Sequence, residues 1–169
     1  YNQAPYLEEC IQSVLSQGYP NLEYIIMDGG STDGSVEIIK KYEKYLTYWQ
    51  SKPDGGQYAA VEEGFRRSTG EILTWINSDD MLLPGALRKV AAIFLNRPDV
   101  QWITGKVCLL EADGTIHYAA LAPVFWNRAR YLAKDYKYIQ QEGSFWRRQL
   151  WEKAGAFLWK ESRLAGDLE

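Results

Sequence analysis

Apolar positions along the chain fall into two alternating rhythms. Leu7, Cys10, Ile11, Val14 and Leu15 recur at helical spacing behind Pro5, a residue suited to a first helical turn, and Gly18 and Pro20 end the run. Val36, Ile38, Ile39 and Tyr42 repeat that spacing, as do Tyr58 to Arg67, ended by Gly70, and a stretch from Pro84 to about Leu95, ended before Pro98. Between these helices lie short apolar runs, Leu22 to Met27, Tyr45 to Gln50 and Glu71 to Ile76, each running into a polar loop, which predicts strands. Beyond residue 98 the rhythm changes. Val100 to Leu110 and Thr115 to Tyr118 are strand-like around an Asp113-Gly114 hairpin turn; Asn127 to Ala133 predicts a short helix, Gln141 to Trp146 a strand, and Arg148 to Ala154 a helix closed by Gly155.

Strands alternating with helices predict an α/β fold: a mixed, mostly parallel sheet flanked by helices, with an antiparallel edge from the later hairpin. Ligands in such sheets sit at the carboxyl ends of strands. Acidic loops stand at three of those ends, carrying Asp28, then Asp54, then Asp79 with Asp80. No internal repeat or low-complexity linker divides the chain.

A length of 169 residues fits one domain with its own core. Residues 1–98 form the predicted ligand-binding half and 99–169 the second half. The loop-like start at Tyr1 and the abrupt stop after Ala165 make both ends look cut. A net charge of −3 and a pI of about 5.3 provide no basic field for a polyanion, which disfavours nucleic acid as a partner. Aromatic residues reach 14%, with seven Trp and twelve Tyr, enough to serve both core packing and stacking on sugars or bases. Cys10 and Cys108 are too few and too far apart for a disulfide framework or a zinc site and read as reduced core thiols. No apolar run is long enough to span a bilayer and no leader opens the chain, so the segment is expected to be soluble and cytosolic.

Each acidic loop has two readings. Gly, Asp, Asn and Ser make turns for backbone reasons alone. Alternatively, Asp28 accepts the imide N–H of a nucleobase while Thr32 or Asp33 caps the following helix, Asp33 being the stronger candidate. The loop lacks both G-x-G-x-x-G and the G-x-x-x-x-G-K-[ST] phosphate cradle, which disfavours a dinucleotide-binding fold. Asp79 and Asp80 are adjacent carboxylates that repel unless a cation holds them. Hard oxygen ligands suit Mg2+ or Mn2+, with positions left for two phosphate oxygens. Equally, one of the two caps the helix opened near Pro84.

Several stretches together resemble the inverting glycosyltransferases of family two, which have a GT-A fold and are typified by bacterial enzymes of cell-surface polysaccharide synthesis. They are residues 1–7, residues 13–17, Glu23 to Ser35, Asp54-Gly55-Gly56 with Ala59-Ala60, and Gly70 to Asp80. A weaker likeness continues through residues 143–148, Gly155 and residues 165–169. The resemblance implies a Rossmann-like sheet whose first strand would precede Tyr1, a nucleotide-diphosphate sugar donor (a UDP-sugar), Mn2+ or Mg2+, and a glycan or lipid-linked acceptor. It implies a cytoplasmic site at the inner face of the membrane, any attachment lying outside this chain. By the same resemblance Asp28 recognises the base, Asp54 is a second donor-site acid, and Asp79 with Asp80 contact metal and ribose. Asn77 stands where the family carries the first acid of its D-x-D motif, among the nucleotide-binding positions, which leaves Asp80 as the expected direct ligand. Asp167 falls at the position of the general base, which deprotonates the acceptor hydroxyl as it attacks the anomeric carbon.

The remaining candidates have blander readings. Glu142 faces solvent or the acceptor side; Glu169 is the other acid of that half. Arg147 and Arg148 reach phosphates or lie solvated on a helix; Trp146, Trp151 and Trp159 stack on an acceptor sugar or pack the core; His117 is structural. A catalytically silent nucleotide-sugar-binding module is the alternative function. A sugar-phosphate nucleotidyltransferase would need a Gly-rich basic loop near the start, and none is visible.

Overall fold

The computed structural model describes residues 1–106, 108–111, 113–118, 128–133 and 140–158. Helix α1 (Ala4–Leu15) carries proline in its first turn and buries Leu7, Cys10, Ile11 and Val14, the stripe that helical spacing predicts. Strand β1 (Ile25–Asp28) pairs in parallel with β2 (Tyr48–Ser51), from Ile25 opposite Tyr48 to Asp28 opposite Ser51. Between them run α2 (Ser35–Tyr42) and a 3-10 turn (Glu43–Tyr45). Leu7, Ile11 and Ile39 form a core under β1 and β2, joined by Tyr24, Ile26, Leu46 and Trp49. Ile11 and Ile39 are wholly buried, each contributing about 1.5–3 kcal/mol. Strand alternation turns the neighbouring positions the other way: a side chain at Gly64 of α3 (Gln57–Arg67) would meet Met27 at 3.5 Å and Ile25 at 3.9 Å.

The second sheet is antiparallel, with β7 (Ser144–Arg147) between β3 (Ile72–Leu73) and β4 (Trp102–Thr104). Tyr58, Phe65, Leu73 and Leu158 form its core with Trp75, Trp146 and Trp151 packed on it. Trp146 and Trp151 therefore take the core reading, both edge-on to Phe65. Helix α4 (Ala86–Asn96) precedes β4; β5 (Cys108–Leu110) and β6 (Ile116–Tyr118) form the hairpin turned at Asp113-Gly114; α5 (Arg128–Leu132) and α6 (Arg148–Lys153) complete the described elements. His117 is an exposed hairpin residue.

Several sequence expectations change. The run from Val100 to Leu110 is two strands rather than one, interrupted at Gly105, whose N–H donates to Gly143 O at 2.7 Å. A Cβ on Gly143 would lie 3.1 Å from Gly105 O, so this backbone approach needs glycine. The strand expected from Glu71 to Ile76 is reduced to Ile72 and Leu73, and among the described residues β3 pairs with β7 alone and β1 with β2 alone. Arg147 is neither solvated nor turned to a ligand. It is buried, with Nε on Val100 O at 2.9 Å, Nη2 on Phe94 O at 2.7 Å and Nη1 on Glu71 Oε1 at 2.6 Å. Arg148 bonds Gly70 O and Ser68 Oγ. Cys10 is a buried thiol as expected, whereas Cys108 is only half-buried.

Candidate functional site

Asp28 ends β1 with its side chain buried against its own loop. Oδ2 accepts from the N–H groups of Gly30 at 3.1 Å and Ser31 at 2.9 Å and from Ser51 Oγ at 2.5 Å, while Oδ1 accepts from Ser31 Oγ. Burial pushes this carboxyl up, but the hydrogen bonds from Ser31, Ser51 and Gly30 together outweigh it and hold the pKa below the ordinary range. A carboxylate offers about four acceptor positions. Most serve the loop, and Oδ1 keeps the spare capacity.

Asp33 serves two helices at once. Oδ1 accepts from Ser35 N–H at 3.1 Å and Ser35 Oγ at 2.6 Å at the start of α2, with Gly34 in the cap position, and Oδ2 accepts from Ala4 N–H at 2.9 Å at the start of α1. Asn2 completes the tie, giving its N–H to Ser31 Oγ and taking that of Thr32.

The second loop touches the first through glycine. A Cβ on Gly29 would sit 3.3 Å from Asp54 Oδ2, and one on Gly30, at φ +85°, would sit 3.1 Å from Pro53 N. Asp54 itself is exposed and accepts from Gly56 N–H at 2.8 Å. Gln57, the first residue of α3, then donates from Nε2 to Asn77 Oδ1, which carries the second loop into the third.

Asn77 is the centre of the third loop. Its Nδ2 donates to Asp80 Oδ2 at 3.1 Å and to Gln141 Oε1 at 3.4 Å; its carbonyl accepts from Asp80 N–H at 3.2 Å and from the Cys10 thiol at 3.4 Å. Neither Asp79 nor Asp80 caps a helix: Gly85 holds the cap position of α4, which has no side-chain cap, and Leu87 N–H turns to Gln17 Oε1 at 3.4 Å. Asp80 is half-buried and Asp79 exposed. Burial raises the Asp80 pKa, the Asn77 hydrogen bond lowers it, and the charges of Glu142 and Asp79 raise it further; the net shift is upward. Cys10 beneath the loop is raised to about 11, first by burial and also by Asp80 and Asp79, against the lowering effect of Tyr24.

Asp80 and Asp79 are the residues that would hold a divalent cation, and they would do so with few protein ligands. Among the described residues no three of His, Cys, Asp and Glu come together to cage a metal. Asp80 instead offers hard oxygen in a field of uncompensated negative charge, and Mg2+ and Mn2+ are commonly held by one or two carboxylates with phosphate oxygens and water completing the octahedron.

Asp28, Asp54, Asn77, Asp79 and Asp80 thus lie on three loops joined in series, the first to the second at Gly29 and Asp54 and the second to the third through Gln57 and Asn77. Asp167, Glu169 and Trp159 fall outside the described residues. Gln57, Gln141, Ser31 and Ser51 were not singled out by sequence. The available signal for Gln57 was its place directly after Asp54-Gly55-Gly56 at a helix start; for Gln141 there was none.

An α/β fold with this arrangement of loops is that of the GT-A glycosyltransferases. Residues 1–349 of TarS from S. aureus, in complex with UDP, match with a TM-score of 0.74 at 19% identity, covering 99% of this chain and 50% of that one. A mannosyltransferase from Pyrobaculum calidifontis, in complex with GDP-Man and Mn2+, matches with a TM-score of 0.63 at 22% identity over 92% of this chain and 44% of that one. In sequence, residues 1–148 match Glycosyl transferase family 2, and the chain belongs to that family. An uncharacterized glycosyltransferase of Nostoc sp. is 35% identical over 71% of this chain and 38% of its own length. TuaG of Bacillus subtilis, whose name refers to teichuronic acid biosynthesis, is 32% identical over 68% of this chain and 46% of its own. The chain therefore spans less than half the length of these relatives. No helix among the described residues is long and apolar enough to cross a membrane.

Proposed function

We propose that this domain transfers a sugar from a nucleotide-diphosphate donor, a UDP-sugar, to a hydroxyl of a glycan or lipid-linked acceptor, with inversion at the anomeric carbon. The observation that carries this reading is the convergence of the three acidic strand-end loops, joined at Gly29 to Asp54 and at Gln57 to Asn77. Asp28, through the spare capacity of Oδ1, and Asp54 contact the nucleoside. Asn77 and Asp79 border the ribose and diphosphate, and Asp80, with Asp79, holds the cation. Mn2+ or Mg2+, when bound there, neutralises the departing diphosphate. Asp167 accepts the acceptor proton as the hydroxyl oxygen bonds to the anomeric carbon and the bond from that carbon to the phosphate oxygen breaks, leaving the diphosphate as the leaving group. The complexes of structural neighbours with UDP, UDP-GlcNAc, and GDP-Man with Mn2+ support a nucleotide-sugar donor. The name of TuaG, which refers to teichuronic acid biosynthesis, supports a role in polysaccharide synthesis; the proposed site of that work is the cytoplasmic face of the membrane.

The test pairs nucleotide binding with turnover. Thermal melts with UDP, GDP, dTDP and CDP, each with and without Mn2+, are expected to shift for UDP only when metal is present. Asp167→Asn is expected to retain that shift and to lose transfer by two or more orders of magnitude, the usual size of a general-base contribution. Full transfer by the variant would remove Asp167 as base; binding without transfer in the unmodified full-length protein would favour the silent module.

A further inference from the structure

The 3-10 turn that leads into β7, Gln141–Gly143, is fixed from both sides. Gln141 donates from Nε2 to the carbonyl of Trp75, just past β3, and accepts at Oε1 from Asn77 Nδ2 at 3.4 Å. Gly143 O accepts from Gly105 N–H at 2.7 Å, an approach that a Cβ would obstruct, and Ser144 Oγ donates to Gln140 O at 2.8 Å. Glu142 sits between these anchors, yet its own carboxylate holds nothing. It is half-buried, has no hydrogen bond or ion pair among the described residues, and lies close enough to Asp80 for the two charges to repel. A half-buried carboxylate without a donor, set beside a second one, costs stability, and among the described residues no contact offsets that cost.

Its place in the series of loops says what it meets. Asp28 and Asp54 lie toward the nucleoside, and Asn77, Asp79 and Asp80 toward the ribose and diphosphate; Gln141, bonded to Asn77, carries the series one step further. In a nucleotide-diphosphate sugar the group beyond the diphosphate is the sugar. A sugar ring offers neighbouring hydroxyl donors, and a carboxylate accepts two at once, one on each oxygen. A shared cation is the other use for facing carboxylates, but among the described residues no three acids come together to hold one, so Glu142 does not converge with Asp79 and Asp80 on a single ion. We propose that Glu142 is a specificity-determining residue whose carboxylate accepts hydrogen bonds from neighbouring hydroxyls of the transferred sugar. This rests on the reading of the site as a nucleotide-sugar donor site. The donors that the fold withholds from Glu142 then come from the substrate, and the anchored turn holds the carboxylate in place before the sugar arrives.

Calorimetric binding to the full-length protein, with Mn2+ and without acceptor, separates the sugar contact from the rest of the site. UDP probes the nucleotide and diphosphate; UDP-glucose, UDP-galactose and UDP-GlcNAc probe the sugar as well. Glu142→Ala is expected to weaken the best-bound of the three UDP-sugars roughly ten- to a hundredfold, the loss of a hydrogen bond to a charged group, without weakening UDP, and to narrow the differences among the three. Glu142→Gln keeps one accepting oxygen and is expected to lose less. Because the side chain holds nothing in the fold, both variants are expected to melt at or above the parent's midpoint without ligand. Equal loss of UDP and UDP-sugar affinity would put Glu142 on the cation or the diphosphate, and unchanged UDP-sugar affinity would remove it from the donor; either result overturns the inference while the nucleotide-sugar reading stands. Absence of UDP binding in the unmodified protein overturns that reading, and the role of Glu142 with it.

Discussion

Asp28 and Asp80 stand on corresponding loops after β1 and β3, yet their surroundings are opposite. Four donors converge on Asp28 and hold its pKa down despite burial. Asp80 receives one side-chain donor, from Asn77, and faces Asp79 and Glu142, which together with burial push its pKa up. One carboxylate has its charge satisfied by the protein; the other holds charge that the protein leaves uncompensated. The first is the signature of a group that shapes a loop, the second that of a group awaiting a positive partner.

Removing Asp28 should cost the most. Asp28→Ala strands Ser31 and Ser51 and is expected to lower stability by about 3 kcal/mol, since bonds to charged groups contribute about 1.5–3 kcal/mol each. For a chain of this size that lowers the melting midpoint by roughly 6–12 °C. An unshifted midpoint would break the contrast.

Asp80→Asn should do the reverse to the metal-free protein. The raised pKa means the native state binds the proton more tightly than the unfolded chain. Stability therefore falls as pH rises from the ordinary 3.8 through the raised folded value, and the deprotonated side chain is a burden at neutral pH. Asparagine removes that burden, so the variant melts above the parent at pH 7 and together with it in acid. It should also lose the metal-dependent gain with UDP, about 2.7 kcal/mol at a hundredfold excess over Kd. A variant that melts lower at pH 7, or keeps the Mn2+ dependence, would make Asp80 a second Asp28.

Gly30→Ala carries the smallest effect. Its φ of +85° and the 3.1 Å approach to Pro53 N press on the contact between the first two loops, with an expected cost of about 1–2 kcal/mol. If UDP binding weakens in step with stability, the loops act as one site; unchanged binding would separate them.

Much of this contrast was legible in the chain, up to the level of loops. Spacing located α1, α2 and α3 within a residue or two, because one apolar stripe per helix is what a sheet-facing helix must bury. It located the acids at strand ends for the same reason. It could not distinguish Asp28 from Asp80, since the donor on Asp28 Oδ2 from Ser51 lies 23 positions away and no periodicity encodes which oxygen it meets. Arg147 failed for a related reason. Two adjacent arginines look solvated, yet Arg147 shares a strand face with the buried Phe145 two residues before it, a parity that pointed inward. The short β3 was not legible because a strand's length depends on its partners, which lie in other segments.

Asp33 ties the start of α1 to the start of α2 through one exposed carboxylate, from a position 29 residues beyond Ala4. A helix capped from within its own segment can nucleate alone. The first turn of α1, with no side-chain cap from Gln3, gains this anchor only when the loop after β1 has closed. The opening turns of two helices and the loop that carries Asp28 thus share one closing event. Opening the loop from Asp28 to Ser35 would therefore release the hydrogen bonds that hold Asn2 and Ala4, so the two segments are expected to loosen together.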